Sequence, residues 1–160
     1  MINEGDRLPP VTFFTMSAEG PRPVTSDEFF ARRTVVLFSA PGAFTPAGSL
    51  KQLPDFLAHA EALKAKGADE IACTAVNDVF VMDAWFRQAG ADGRIAPLAD
   101  AQGEFVKALG LQQIVEPYGM GERGRRFAMI AAGGVVRQLR VEPGLKDFEV
   151  SRAKNILALL

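Results

Sequence analysis

Thiol and imidazole are almost absent from this chain: 160 residues hold one cysteine, Cys73, and one histidine, His59. A single thiol forms no internal disulfide and holds neither a Cys-rich zinc site nor an iron–sulfur cluster. One imidazole likewise excludes sites built from three histidines, or from two histidines and a carboxylate. No cofactor is expected. An excess of one charge is also lacking, since 18 Lys and Arg against 19 Asp and Glu give a net charge of −1. That removes the basic footprint of a nucleic-acid binder. No stretch reaches the roughly 18 apolar residues of a transmembrane helix, so no membrane partner is expected. The N-terminus, Met-Ile-Asn-Glu-Gly-Asp-Arg-Leu-Pro-Pro, has no basic leader followed by an apolar stretch, which points to a cytoplasmic address.

What is present is the composition of an ordinary globular protein, 48% apolar and 23% charged, at a length that suits one domain over residues 1–160. Thr34 to Ala40, Thr-Val-Val-Leu-Phe-Ser-Ala, is β-branched and continuously apolar, which predicts a central strand buried on both faces. After a turn-rich stretch from Pro41 to Gly48, Leu50, Leu53, Leu57, Ala60 and Leu63 recur at spacings of three and four. They predict an amphipathic helix that Pro54 kinks and that ends near Lys66, with Gly67 as its stop. A second buried strand at Glu70 to Val76 completes a parallel βαβ unit.

Asp78 is expected to cap a helix running through Trp85 and Phe86 to Ala89. Arg94 to Ala99 reads as a short strand, and Ala101 to Leu109 as a short helix closed by Gly110. Leu111 to Gly124 holds four Gly or Pro residues and little periodicity, so it reads as a long surface loop near a site. Arg126 to Ala132 and Val135 to Val141 flank Gly133-Gly134 and predict an antiparallel hairpin. Ser151 is expected to cap a last helix with Ala153, Ile156, Leu157 and Leu160 as its apolar stripe. This order matches a thioredoxin-like α/β fold, a central mixed sheet flanked by helices. Chemistry in such a fold sits where the first buried strand gives way to its helix, here residues 41 to 49.

That segment, Pro41-Gly42-Ala43-Phe44-Thr45-Pro46-Ala47-Gly48-Ser49, resembles the active-site motif of the peroxiredoxins, Pro-x-x-x-Thr-x-x-Cys, in their type II branch. Leu53-Pro54 with Phe56, Val76-Asn77-Asp78, Leu98-Ala99-Asp100, Arg126-Phe127 and Val141-Glu142-Pro143 are similar to that branch too. The resemblance runs from Gly5 to Leu160. It implies an antioxidant enzyme that reduces hydrogen peroxide and organic hydroperoxides with thiols, and a redox-active member would take glutaredoxin or thioredoxin as partner. It also implies a homodimer, with Phe44, Phe80 and Trp85 as interface candidates. Residue by residue, it places the family's active-site proline on Pro41, its threonine on Thr45 and its guanidinium on Arg126. The peroxidatic cysteine falls on Gly48, and the resolving cysteine of two-cysteine members falls on Val150.

Glycine offers no nucleophile. The hydroxyl of neighbouring Ser49 is a weak one without an evident base, and Cys73, inside an apolar strand, reads as a small hydrophobe with a raised pKa. What stays is friendly to anions: the fork of Arg126, the Thr45 hydroxyl, and the amides of Ala47 and Gly48 at a helix start. The expectation is a peroxidase-deficient homologue, a pseudoenzyme, whose pocket takes a small anion or peroxide; the plainer reading is a pocket that holds only water. Two further readings stay open. Cys73 acts as the redox thiol after local opening, or Gly48 is an engineered replacement in a one-cysteine, glutathione- or glutaredoxin-dependent enzyme. His59 is read as an exposed side chain, Trp85 and Phe86 as pocket mouth or core, and Arg123 and Arg125 as solvated charges.

Overall fold

The apolar run beginning at Thr34 forms the strand around which the rest of the chain is arranged. In the computed structural model, which describes residues 1–160, the chain opens with a hairpin of β1 (Thr12–Ser17) and β2 (Gly20–Thr25), followed by α1 (Ser26–Phe30) and β3 (Thr34–Ser39). A π-helical turn (Gly48–Gln52) leads into α2 (Leu53–Ala58) and α3 (Ala60–Ala65). Then come β4 (Glu70–Ala75), α4 (Val79–Ala89), β5 (Ala96–Ala99) and α5 (Glu104–Leu109). The chain closes with β6 (Gln112–Val115), β7 (Gly121–Gly124), β8 (Phe127–Ala132), β9 (Val135–Val141) and α6 (Ala153–Leu159). Seven strands form one sheet in the order β2-β1-β5-β4-β3-β8-β9. Its centre, β3 with β4 and β4 with β5, is parallel, and its other pairs are antiparallel, so the sheet is mixed.

Both faces are covered, which is why β3 reads as continuously apolar. Val36, Phe38 and Ala40 enter a core with α2, α4 and α6, whereas Val35 and Leu37 enter a second core with β1, α1 and α5. In the first, Phe38 stacks on Phe56 with ring centroids 4.1 Å apart. The Gly133-Gly134 turn joins β8 to β9 as expected, with both glycines at positive φ. Asp78 caps α4 through its Oδ1, which accepts the Val81 amide at 2.9 Å. No helix is long and apolar enough to cross a membrane.

Four elements differ from the sequence expectation. The N-terminal hairpin goes unread because Pro21 and Pro23 argue against a strand; they are tolerated because β2 lies at the sheet edge. The stretch 111–124 is a two-stranded hairpin, β6 with β7; four-residue strands with mostly exposed side chains leave no periodic trace. Pro54 does not kink its helix. It starts α2 directly after the π-turn, in which the Leu53 amide reaches Gly48 O five residues back, so the amide that proline lacks is not needed there. The break falls at His59 instead (φ −102°, ψ 2°), and the extra residue of the π-turn leaves Leu50 77% exposed, off the apolar stripe. Finally, Ser151 does not cap α6. Its hydroxyl goes to Glu142, and the Ala153 amide is held by Asp55 Oδ2 at 2.8 Å.

Two buried hydroxyls lack a partner. Ser39 Oγ and Thr74 Oγ1 sit at matched positions of β3 and β4, both fully buried and neither hydrogen-bonded. Burying an unsatisfied hydroxyl costs about 1–3 kcal/mol, so Thr74→Val is expected to stabilise the fold by about 1 kcal/mol. Urea unfolding reads this as a higher midpoint at unchanged slope; a lower midpoint would show that the hydroxyl is satisfied.

Candidate active site

Strand β3 delivers the chain to a tight loop at the head of the π-turn. Pro41 and Gly42 are buried there, and Phe44 takes the left-handed conformation at φ 63°, a cost of about 1–3 kcal/mol for a bulky residue. The loop is held by the Ala43 amide, which donates to Asn77 Oδ1 at 2.8 Å, and by the Phe44 ring lying 6.5 Å from that of Trp85. Helical bonding begins when the Ser49 amide donates to Thr45 O at 2.8 Å. The amides of Ala47 and Gly48 fall ahead of it, in the first turn, where no intrahelical acceptor exists.

Gly48 is buried behind Thr45. A Cβ built at Gly48 would lie 2.8 Å from Thr45 Oγ1, 3.4 Å from Gly42 O and 3.5 Å from Trp85 Cζ2. The Thr45 hydroxyl donates to Gly42 O at 2.8 Å, and so occupies the space a side chain at 48 would enter. Beyond it opens a cavity of about 590 Å³, with Pro41, Thr45, Ala47, Leu50, Met120 and Arg126 on its walls. The structure therefore brings Pro41, Thr45, Ala47 and Arg126 to one cavity and sets Gly48 one layer behind it.

Arg126 is only 3% exposed. Its Nε donates to Asp147 O (3.1 Å), its Nη2 to Leu145 O (3.3 Å) and its Nη1 to Gln52 Oε1, while Gln52 Nε2 donates to Ser39 O (2.9 Å). A guanidinium has five donors; three are used and two remain on a group that lines the cavity. Burial pulls this guanidinium below its ordinary pKa, and the negative charge of Glu142 opposes the pull. Glu142 is itself buried, accepting the Glu149, Val150 and Ser151 amides and the Ser151 hydroxyl. It thereby ties down the far end of the loop that includes Leu145 and Asp147, whose carbonyls hold Arg126. The sequence does not single out Gln52, a lone polar residue in a helix, and it marks Glu142 only as part of the Val141-Glu142-Pro143 stretch, with nothing to show that its carboxylate ties down the following loop.

Three expectations about side chains are corrected. Trp85 is buried, and its indole N–H donates to Ser49 Oγ at 3.0 Å, so it is no surface contact; of the three aromatic interface candidates, only Phe44 and Phe80 are exposed. Arg123 and Arg125 are half-buried struts rather than solvated charges. Arg123 donates to Val76 O (2.7 Å) and Met120 O (2.9 Å), and Arg125 to Glu142 O (2.8 Å). His59 is half-buried, with Nδ1 2.8 Å from Asp55 O, so it is not freely exposed either.

Cys73 lies in the middle of β4 with no exposed surface, packed in the core that contains Val36, Phe38 and Trp85. Burial pushes its thiol far above the ordinary range, against a smaller opposing pull from Arg126. Alkylating reagents are expected to leave it unmodified in the native protein at pH 8 and to modify it fully in denaturant. The folded-state pKa is the raised one, so the stabilising contribution is complete below the unfolded thiol's pKa of about 8.5 and declines above it by about 1.4 kcal/mol per pH unit. Comparing urea midpoints of the protein and Cys73→Ala from pH 7 to 10 checks this. A parallel pH dependence in the two would refute it.

A family profile described as Redoxin matches residues 3–157. Peroxiredoxin-2E, chloroplastic, of Arabidopsis thaliana is 40% identical over 163 residues, which cover 99% of this chain and 69% of that protein. Peroxiredoxin-2C of the same plant is 39% identical over 161 residues, covering 99% of this chain and 98% of that one. Among solved structures, reduced Prx3 in complex with H2O2 from Vibrio vulnificus superposes with a TM-score of 0.93 at 45% identity, over 99% of this chain and 96% of that chain.

Proposed function

The chain belongs to the peroxiredoxin family of thiol-dependent peroxidases, through a redoxin domain that spans nearly all of it, and we propose that it has exchanged peroxide reduction for the binding of anions. One observation carries this reading. Position 48, where the family resemblance puts the attacking cysteine, has no side chain, while the only thiol is sealed inside the sheet. Thiolate attack on peroxide requires an accessible, ionised sulfur. Cys73 is neither accessible nor, at neutral pH, ionised.

The surroundings of the missing thiolate persist. Two spare donors of Arg126 and the first-turn amides present a positive site, and an anion is the partner such a site takes when no protein carboxylate reaches it. Peroxide consumption with a thiol reductant is expected to stay at background for the protein and for Cys73→Ser alike. Isothermal titration with acetate or sulfate is expected to give binding that Arg126→Ala weakens. Turnover that disappears on Cys73→Ser would overturn the first half of the proposal, and absence of anion binding the second.

The exposed Phe44 and Phe80 support assembly as a homodimer through the surface that carries them. Phe80→Asp is expected to shift the sedimenting species from dimer to monomer. A monomer in the unmodified protein would remove this part.

A further inference from the structure

The cavity in front of Arg126 is too large, and the wrong chemistry, for a small inorganic anion alone. At about 590 Å³ it falls in the range that holds a drug-sized organic molecule, whereas one water takes about 30 Å³. Its wall is divided. Pro41, Ala47, Leu50, Met120 and Leu145 make an apolar surface, while the charged lining consists of Arg126, Lys51 and Lys146, with no Asp or Glu. Neither lysine is in an ion pair, and Lys146 lies over the Tyr118 ring at 5.9 Å. Arg126 is buried, whereas Lys51 and Lys146 are exposed.

We infer that the site binds an amphiphilic carboxylate, such as a medium-chain fatty acid anion. Its head group pairs with the spare donors of Arg126, and its apolar body lies along Leu50, Met120 and Leu145. This rests on the anion-pocket reading above and deepens it. Charge complementarity decides the class: three cations without an acid favour an anion over a neutral alcohol or ester. The apolar wall decides the shape, because each methylene taken from water tightens binding about fourfold. Leu50 is part of the argument, since a leucine this exposed on a helix is otherwise unused apolar surface. The two lysines raise the local concentration of anions and so the association rate, an effect that salt weakens.

The test is isothermal titration at fixed ionic strength with acetate, butyrate, hexanoate and octanoate, each below its micelle concentration, and with octanol as the uncharged control. Affinity is expected to rise about fourfold per methylene, so that octanoate binds at least about 100-fold more tightly than acetate. Octanol is expected to bind far more weakly than octanoate. Leu50→Asp changes only an exposed position and should keep the fold; it is expected to weaken octanoate at least about tenfold while affecting acetate far less. Arg126→Ala should weaken both. If acetate and octanoate bind equally, the anion site stands and the amphiphile fails. If octanol matches octanoate, the carboxylate assignment fails. If no acid binds, both readings fall.

Discussion

Gly48→Cys is expected to yield a working peroxidase, raising peroxide consumption over that of the unmodified protein by about 1,000-fold or more with an added thiol reductant. Losing the nucleophile lowers turnover by about a million-fold in a well-studied covalent catalyst, so about 1,000-fold is a lower bound. The expectation follows from what a side chain at 48 would meet. Its Cβ would lie beside Gly42 O and Trp85 at ordinary contact distances, and only Thr45 Oγ1, at 2.8 Å, is too close. That atom ends a short side chain, so rotation about one bond clears it, at the cost of the hydrogen bond to Gly42 O, about 1 kcal/mol.

Once in place, the sulfur would sit at the first helical turn, behind the cavity that Arg126 lines, and the helix start and the guanidinium both favour thiolate over thiol. The thiolate attacks one peroxide oxygen, the O–O bond breaks, and the departing oxygen leaves as water or alcohol after taking a proton. The sulfenic acid that remains is returned to thiol by the reductant. Adding Cys73→Ser should leave the gained activity intact, whereas adding Arg126→Lys should cut it, because a point charge cannot replace the fork that Gln52, Leu145 and Asp147 hold. A well-folded Gly48→Cys protein that remains at background would mean that the missing thiol is not what limits this site.

The βαβ unit and the site-bearing loop were legible in the chain because their signals are local. The seven residues from Thr34 make a continuous β-branched and apolar run, of which Val35 to Ala40 are buried, and the Pro-Gly-Ala-Phe-Thr-Pro string sits immediately after them. The π-turn was not legible, since the pattern of leucines from 50 to 63 has the spacing of a regular helix, and only the backbone shows that one added residue turns Leu50 outward. Nor could the chain show that Arg123, Arg125 and Arg126, three near neighbours in sequence, go to different carbonyl acceptors. Those acceptors lie up to 47 residues away, and a carbonyl carries no residue identity. The position of Gly48 behind the Thr45 hydroxyl is likewise a matter of one rotamer, which sequence does not encode.

Glu142→Ala is expected to lower stability by about 3–5 kcal/mol, for a related reason. The carboxylate is 2% exposed and accepts four hydrogen bonds from a single turn, Glu149 to Ser151. Removing it leaves three amides and a hydroxyl without an acceptor, and hydrogen bonds to a charged group are the strong ones. For a chain of this size the loss corresponds to roughly a 10 °C fall in melting temperature. Glu142→Gln keeps one oxygen and should fall between, whereas the control Glu149→Ala, at an exposed neighbour, should stay within about 0.5 kcal/mol. The effect reaches the cavity as well. Leu145 O and Asp147 O, two of the acceptors of Arg126, belong to the segment that Glu142 ties down. A loosened segment lets the guanidinium leave its place, so anion affinity should fall in Glu142→Ala even at temperatures where the fold survives. An unchanged melting temperature would show that water replaces the carboxylate without loss. An unchanged anion affinity in a destabilised variant would show that Gln52 alone is enough to aim Arg126.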